Sequence, residues 1–245
     1  MDYEKDFADE TYETSHGKLY SKHHGGGGKK VVFLHGIGAN TKAWVKLVEA
    51  LPNELDVYLL DLLGHGNSDA PRIGYTIGIQ TEILNEFIRG HDMLDPCLVG
   101  HSYGGWIAAY YAAYYDSLGG LVLMDSAGAK EFYDDIGRSG KQKEYGEEFL
   151  RALLQVNGNR EYVMRSILEN ALAGEHLDGS VLGMISTKTL IVWGSEDDTV
   201  DIKYGRMING GIKGSRMEVI GGGGHNSHYS HAGEVGRLLL DFINQ

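Results

Sequence analysis

The stretch Cys97-Leu98-Val99-Gly100-His101-Ser102-Tyr103-Gly104-Gly105, continued by residues 106–115, decides the fold. Its three leading apolar residues suit a strand covered on both faces, and the run from Trp106 is rich in good helix formers. Between them Gly100, Gly104 and Gly105 leave room for a strained turn and for close approach of helix to strand. A G-x-S-x-G pattern set between strand and helix lifts a serine oxygen above the end of a sheet. There, at a helix N-terminus, developing negative charge is favoured. In a glycine-rich chain the bare pattern carries little weight, so the flanking elements supply the argument.

Outward from this point the alternation repeats. Strand-like apolar runs fall at 31–34, 57–60, 97–99, 121–124, 190–193 and 217–220. Amphipathic stretches separate them, including 77–89, with Ile79, Ile83, Leu84, Phe87 and Ile88 on one side, and 234–242. Strand and helix in alternation imply a mostly parallel α/β sheet. Ahead of the first run, residues 11–15 and 18–22 flank His16-Gly17 and read as a hairpin at one edge. The segment between Asp125 and Thr189, roughly 60 residues, breaks the pattern. It contains no strand signal, but Tyr145, Phe149, Leu150, Leu153 and Leu154 share one helical face, and Val163, Met164, Ile167, Leu168, Ala171 and Leu172 another. The expected organisation is a core over 1–128, a helical cap over 129–187, and the rest of the core over 188–245. A pocket is expected at the seam.

Composition bounds the function. The 245 residues carry 22 Lys plus Arg against 34 Asp plus Glu, a net charge of −12, with no basic cluster longer than Lys29-Lys30. Nucleic acid and anionic membranes are therefore not expected partners. The longest apolar run, 106–115, is 10 residues, well short of the roughly 18 that suggest a membrane span. The opening MDYEKDFADE has no signal-peptide apolar region, and the single Cys97 cannot form an internal disulfide, so a cytoplasmic protein is expected. Glycine is high, 36 of 245 or about 15% against a usual ~7%, while proline numbers only 3. Gly146 and Gly236 interrupt helical patterns, each at about 1 kcal/mol relative to Ala. Selection for flexibility at low temperature and deliberate enrichment in the laboratory both give such a composition.

A serine hydroxyl needs a base to remove its proton and a third group to fix that base. His225 lies in the glycine-rich loop 221–224 and onward, between the last strand and the final helix. Asp197 follows the strand at 190–193 in Trp193-Gly194-Ser195-Glu196-Asp197. The chain order is Ser, Asp, His, each at the carboxyl end of a strand, where open α/β sheets gather their sites.

These stretches, with Phe33-Leu34-His35-Gly36-Ile37-Gly38, Asp61-Leu62-Leu63-Gly64-His65-Gly66-Asn67-Ser68 and Gly224-His225, make the chain similar to the cap-bearing serine hydrolases of the α/β-hydrolase superfamily. The resemblance spans nearly the whole length. It implies an eight-stranded, mostly parallel sheet with helices on both faces and an inserted helical cap. It further implies Ser102 as nucleophile, His225 as general base and then acid, Asp197 as the orienting carboxylate, and the N–H groups of Ile37 and Tyr103 as oxyanion donors. His35, Gly36, Trp106, Phe149 and Leu153 are candidate substrate contacts. Leu63 stands where the family usually has proline, and a serine at 102 argues against the branches that use an aspartate nucleophile.

The implied activity is cleavage of carboxylic esters with short to medium acyl chains, with a small-molecule ester as partner, no metal or organic cofactor, and a monomer or homodimer. The same residues could serve a C–C bond hydrolase, hydroxynitrile lyase, lactonase or perhydrolase, or a ligand sensor with slow turnover. His35, His65 and His101 sit in turn motifs and read as structural. His228 and His231 follow His225 at metal-like spacing but without accompanying ligands. Asp125 and Asp198 are rival third members of the triad, and Trp44 and Trp106 are core candidates.

Overall fold

One sheet of eight strands organises the chain: β1 (Ala8–Thr14), β2 (Gly17–Gly25), β3 (Lys30–Leu34), β4 (Asp56–Asp61), β5 (Cys97–His101), β6 (Gly120–Met124), β7 (Thr189–Gly194) and β8 (Arg216–Ile220). Their spatial order is β1-β2-β4-β3-β5-β6-β7-β8. The β1–β2 hairpin and the β2–β4 pairing are antiparallel, and every other pairing is parallel. The structure is a computed structural model describing residues 1–115, 118–140 and 142–245, with the side chains of Gln142, Lys143 and Tyr145 outside the described set. The Tyr145 position of the expected helical stripe thus lies outside the described residues.

Strands β3, β5, β6 and β7 are buried almost without interruption because both faces are covered. Alternation sends Val32, Leu34 and Leu98 to one side, under α2 (Ile77–Gly90) and α3 (Tyr103–Tyr114). Val31, Phe33 and Val99 go to the other, under α1 (Val45–Glu49) and α10 (Ala232–Ile243). The strands run one or two residues beyond their apolar windows, since polar residues such as Lys30, Asp56, Asp61 and Arg216 join the ladder through their backbones. Tyr111 is buried as the helical reading of 106–115 requires, but Tyr114, at the open end of α3, is 50% exposed.

Between β6 and β7 lie α4 (Lys130–Ser139), α5 (Gln142–Leu154), α6 (Glu161–Ala173) and α7 (Gly179–Met184). Leu150 and Leu153 of α5 and Val163, Met164 and Ile167 of α6 turn inward, as their spacing predicts, whereas Leu172 is partly exposed. The segment after α6 is tied to the core by Glu175, whose carboxylate accepts the N–H groups of Ile77 (2.8 Å) and Gly78 (3.2 Å). An acid at that helix N-terminus meets both orphan donors and the dipole. Helices α8 (Ile202–Gly211) and α9 (Ser227–Ser230) complete the set among the described residues. No helix of the described residues is long and apolar enough to cross a membrane.

Candidate active site

Ser102 caps α3 with a φ of +50°, a conformation that holds its side chain clear of β5. Neighbouring backbone fixes it there. Its N–H donates to Met124 O (3.0 Å), and its carbonyl accepts from Trp106 N–H (3.1 Å) and Ala127 N–H (3.0 Å). The turn closes only because its glycines lack side chains: a Cβ on Gly100 would lie 2.4 Å from Gly104 O, and one on Gly104 2.2 Å from Leu34 O. The Ser102 hydroxyl makes no capping bond to α3.

That hydroxyl instead meets His225, whose Nε2 lies 3.0 Å from Ser102 Oγ. On the far side of the ring His225 Nδ1 lies 2.8 Å from Asp197 Oδ2. The second Asp197 oxygen accepts the N–H groups of Thr199 and Val200, each at 2.9 Å, so the carboxylate cannot swing. An Nδ1–H donated to Asp197 leaves Nε2 with a lone pair facing the hydroxyl, the tautomer that can take its proton. The loops after β5, β7 and β8 thus bring together the three side chains singled out in the sequence. Of the two rival carboxylates, Asp198 is exposed and Asp125 is engaged elsewhere, by Gly194 N–H and Ser227 Oγ.

Ile37 and Tyr103 line the same cavity as Ser102, and neither backbone N–H has a hydrogen-bond partner among the described residues. Gly36 brings the first of these loops against the turn, since a Cβ there would lie 3.3 Å from Ser102 Cβ and 2.9 Å from His101 Nδ1. Two free N–H groups beside a hydroxyl can hold an oxyanion.

The cavity, about 70 Å³, lies between the Ser102 turn and helices α4 to α6. Trp106 and Phe149 line it, together with Phe132, Tyr133 and Ile136 of α4, Ile167, Leu168 and Ala171 of α6, and Thr199 and Val200 of the Asp197 loop. His35, Gly36 and Leu153 do not. His35 is fully buried, donates Nδ1–H to Gly36 O (2.8 Å) and accepts Leu62 N–H on Nε2 (3.1 Å), while burial pushes its pKa down to about 4. It shapes the turn that carries Ile37. Leu153 packs beneath Gly38. Phe132, Tyr133 and Ile136 of α4, and Thr199 and Val200 of the Asp197 loop, escaped the sequence reading, although the first three form a short apolar stripe at helical spacing.

One further histidine supports the base. His101 Nε2–H donates to His225 O (2.7 Å), joining the residue before the serine to the backbone of the imidazole. His65 is buried, and that burial lowers its pKa to about 3. His101, Asp125 and His228 place ligand atoms within 4.8 Å of one another. His101 Nε2 and both Asp125 oxygens take part in hydrogen bonds, while His228 Nδ1, also buried, has no partner among the described residues.

An α/β sheet with serine, histidine and aspartate at its carboxyl edge defines a class of hydrolase scaffold. The model of the alpha/beta hydrolase family matches residues 31–238, and the chain belongs to that family. A 2-hydroxy-6-oxononadienedioate/2-hydroxy-6-oxononatrienedioate hydrolase of Cupriavidus pinatubonensis is 28% identical over 92% of this chain and 90% of its own. A monoacylglycerol lipase of Xenopus laevis is 24% identical, over 94% of this chain and 78% of its own. Among solved structures, an esterase from Exiguobacterium antarcticum superposes with a TM-score of 0.81 at 22% identity, covering 97% of this chain and all of that one.

Proposed function

We propose that this protein is a serine hydrolase of carboxylic esters with short, uncharged acyl groups. The observation that carries the proposal is the His225 imidazole bridging Ser102 Oγ at 3.0 Å and Asp197 at 2.8 Å, where Ser102 lines a cavity with no Asp, Glu, Lys or Arg in its walls among the described residues. His225 Nε2 takes the Ser102 proton as Oγ attacks the acyl carbon. The carbonyl oxygen, now negative, rests against the N–H groups of Ile37 and Tyr103. Collapse expels the alcohol, which carries off the proton from Nε2. Water, deprotonated by the same nitrogen, then attacks the acyl carbon, and as the C–Oγ bond breaks Nε2 returns the proton to Ser102 Oγ and the acid leaves. The helices between β6 and β7 act as a cap that closes over the acyl group. A volume of about 70 Å³ is below the ~150 Å³ of a cavity that takes benzene, so it favours short chains unless the cap moves.

A C–C bond hydrolase is the second reading, favoured by the identity to the 2-hydroxy-6-oxononadienedioate hydrolase. A dioate substrate carries two carboxylates and calls for cationic contacts. Among the described residues no Lys or Arg lines the cavity, which favours the ester.

The test is hydrolysis of p-nitrophenyl acetate and butyrate by the wild type and by Ser102→Ala, with a fluorophosphonate adduct mapped to its peptide. Turnover lost with Ser102, and an adduct on that serine, is the expected result. Rapid turnover by Ser102→Ala contradicts the mechanism. An intact adduct without ester turnover favours the C–C hydrolase or a ligand sensor.

A further inference from the structure

Asp125, at the carboxyl end of β6, is fully buried, and the mechanism above gives it no task. Its position is unfavourable on two counts. A carboxylate out of water needs compensating donors, and its φ of +45° lies in the left-handed region, which side chains other than Asn, Asp and Gly seldom adopt.

What it touches is specific. One carboxylate oxygen, Oδ1, accepts Gly194 N–H at 2.7 Å, and the other, Oδ2, accepts Ser227 Oγ–H at 2.6 Å. Gly194 ends β7, just ahead of Asp197, and Ser227 follows His225 by two positions. Asp125 N–H itself donates to Val192 O at 3.0 Å, while the preceding residue, Met124, accepts Ser102 N–H. One side chain therefore grips the roots of the loops carrying acid and base, from the strand end that also anchors the serine. Gly194 allows the approach of the His225 loop, since a Cβ there would lie 2.3 Å from Gly223 O. The titratable groups facing Asp125 are His225 and Asp197 from those two loops, His101 from β5 and His228 from α9.

We propose that Asp125 is a positioning residue whose two hydrogen bonds clamp the Asp197 and His225 loops at the spacing that lets one imidazole span both Asp197 and Ser102. The clamp rests on the serine-hydrolase reading for its kinetic consequence, though not for its geometry. A misplacement of about 1 Å costs a site of this kind on the order of 10²-fold in rate. Asparagine can offer only one acceptor oxygen to the two donors, and turns an N–H₂ toward the other. Ser227→Ala removes one arm and leaves the carboxylate in place.

The experiment compares the full chain as wild type, Asp125→Asn, Ser227→Ala and the double variant. The readouts are kcat and KM on p-nitrophenyl butyrate, the pH dependence of kcat/KM, the rate of fluorophosphonate labelling at Ser102, and thermal unfolding at pH 8. The expected result is kcat and labelling rate lowered together, about 10- to 100-fold in Asp125→Asn and less in Ser227→Ala, with KM within about threefold. The apparent pKa of the acidic limb shifts, and Tm at pH 8 is no lower than that of the wild type for Asp125→Asn. The double variant loses less than the product of the two single losses, because Ser227 acts only through the Asp125 side chain. Folded variants with wild-type kcat, labelling and pH limb overturn the clamp; if Asp125→Asn does not fold, Ser227→Ala decides by the same measure.

The NMR resonance of His225 Nδ1–H reads the clamp without any substrate. It shifts or broadens in Asp125→Asn and Ser227→Ala if the clamp holds, and stays in place in both if it does not. Failure of the ester reading shows differently, as wild-type protein without ester turnover while that resonance still responds.

Discussion

The carboxylate of Asp197 is wholly shielded from solvent, whereas the His225 side chain it meets at 2.8 Å is 14% exposed. The acid is therefore held by protein alone and the base is open to a ligand. Because Thr199 and Val200 N–H groups hold one Asp197 oxygen, an asparagine there keeps its oxygen on those donors and turns its N–H₂ toward His225 Nδ1. That forces the proton onto Nε2, where it can no longer be accepted from Ser102. Asp197→Asn should lower kcat on p-nitrophenyl butyrate by about 10³- to 10⁴-fold with little change in fold, and Asp198→Asn should stay within about threefold. A loss under tenfold in Asp197→Asn would remove it from the relay.

The two helix-interrupting glycines separate once packing is known. A Cβ on Gly236 would lie 3.2 Å from Ala50 Cβ, so the glycine lets α10 approach α1. A Cβ on Gly146, in the middle of α5, meets nothing within 4 Å among the described residues. Gly146→Ala should therefore recover the helical penalty, about 1 kcal/mol, and raise Tm by roughly 2–4 °C. Gly236→Ala should gain less or lose stability. Differential scanning calorimetry on both decides it, and an equal gain at the two sites would contradict the packing argument.

How far the sequence carried can be judged on the same residues. The strands at 31–34, 97–99 and 190–193 were legible because a sheet covered on both faces leaves continuous apolar runs. Ser102 and Asp197 were legible because each follows such a run in a turn, and His225 because it follows the weaker run of edge strand β8 through a glycine loop. Asp125 was visible as a strand-end acid, but its partners Gly194 and Ser227 lie 69 and 102 positions away, a pairing that only the sheet order creates. Phe132, Tyr133 and Ile136 were passed over for another reason: they share one face of α4 at i, i+1 and i+4, but only three apolar residues carry that short stripe in an otherwise polar segment. Its inward side chains face a cavity rather than a core.

Cys97 opens β5 beneath the sheet, and burial pushes its thiol up to about 12. Thiolate is the reactive form, so the native protein should resist alkylation. Iodoacetamide at pH 8 should leave Cys97 unmodified in native buffer and modify it fully in denaturant, with labelling in intermediate urea following global unfolding. Stoichiometric labelling of folded protein within minutes would show that β5 opens locally, and with it the strand leading to Ser102.

The stability cost of Asp125 should be readable as a pH dependence of definite sign. Burial raises its pKa to about 7, against the lowering effect of the Ser227 and Gly194 bonds. The unfolded chain releases that proton near 4. Below pH 4 both states hold it and the group is neutral to stability. Between 4 and 7 only the folded state holds it, so stability falls as pH rises, levelling off above 7. The full linkage amounts to roughly 4 kcal/mol at most. Asparagine cannot ionise, so the Tm of Asp125→Asn relative to the wild type should climb between pH 5 and pH 8 while activity stays depressed. A side chain kept for stability would behave oppositely, its loss costing most where it is charged. A Tm difference that stays flat across that range would mean that Asp125 is ionised throughout, stabilised by its two donors and the surrounding imidazoles beyond what burial allows.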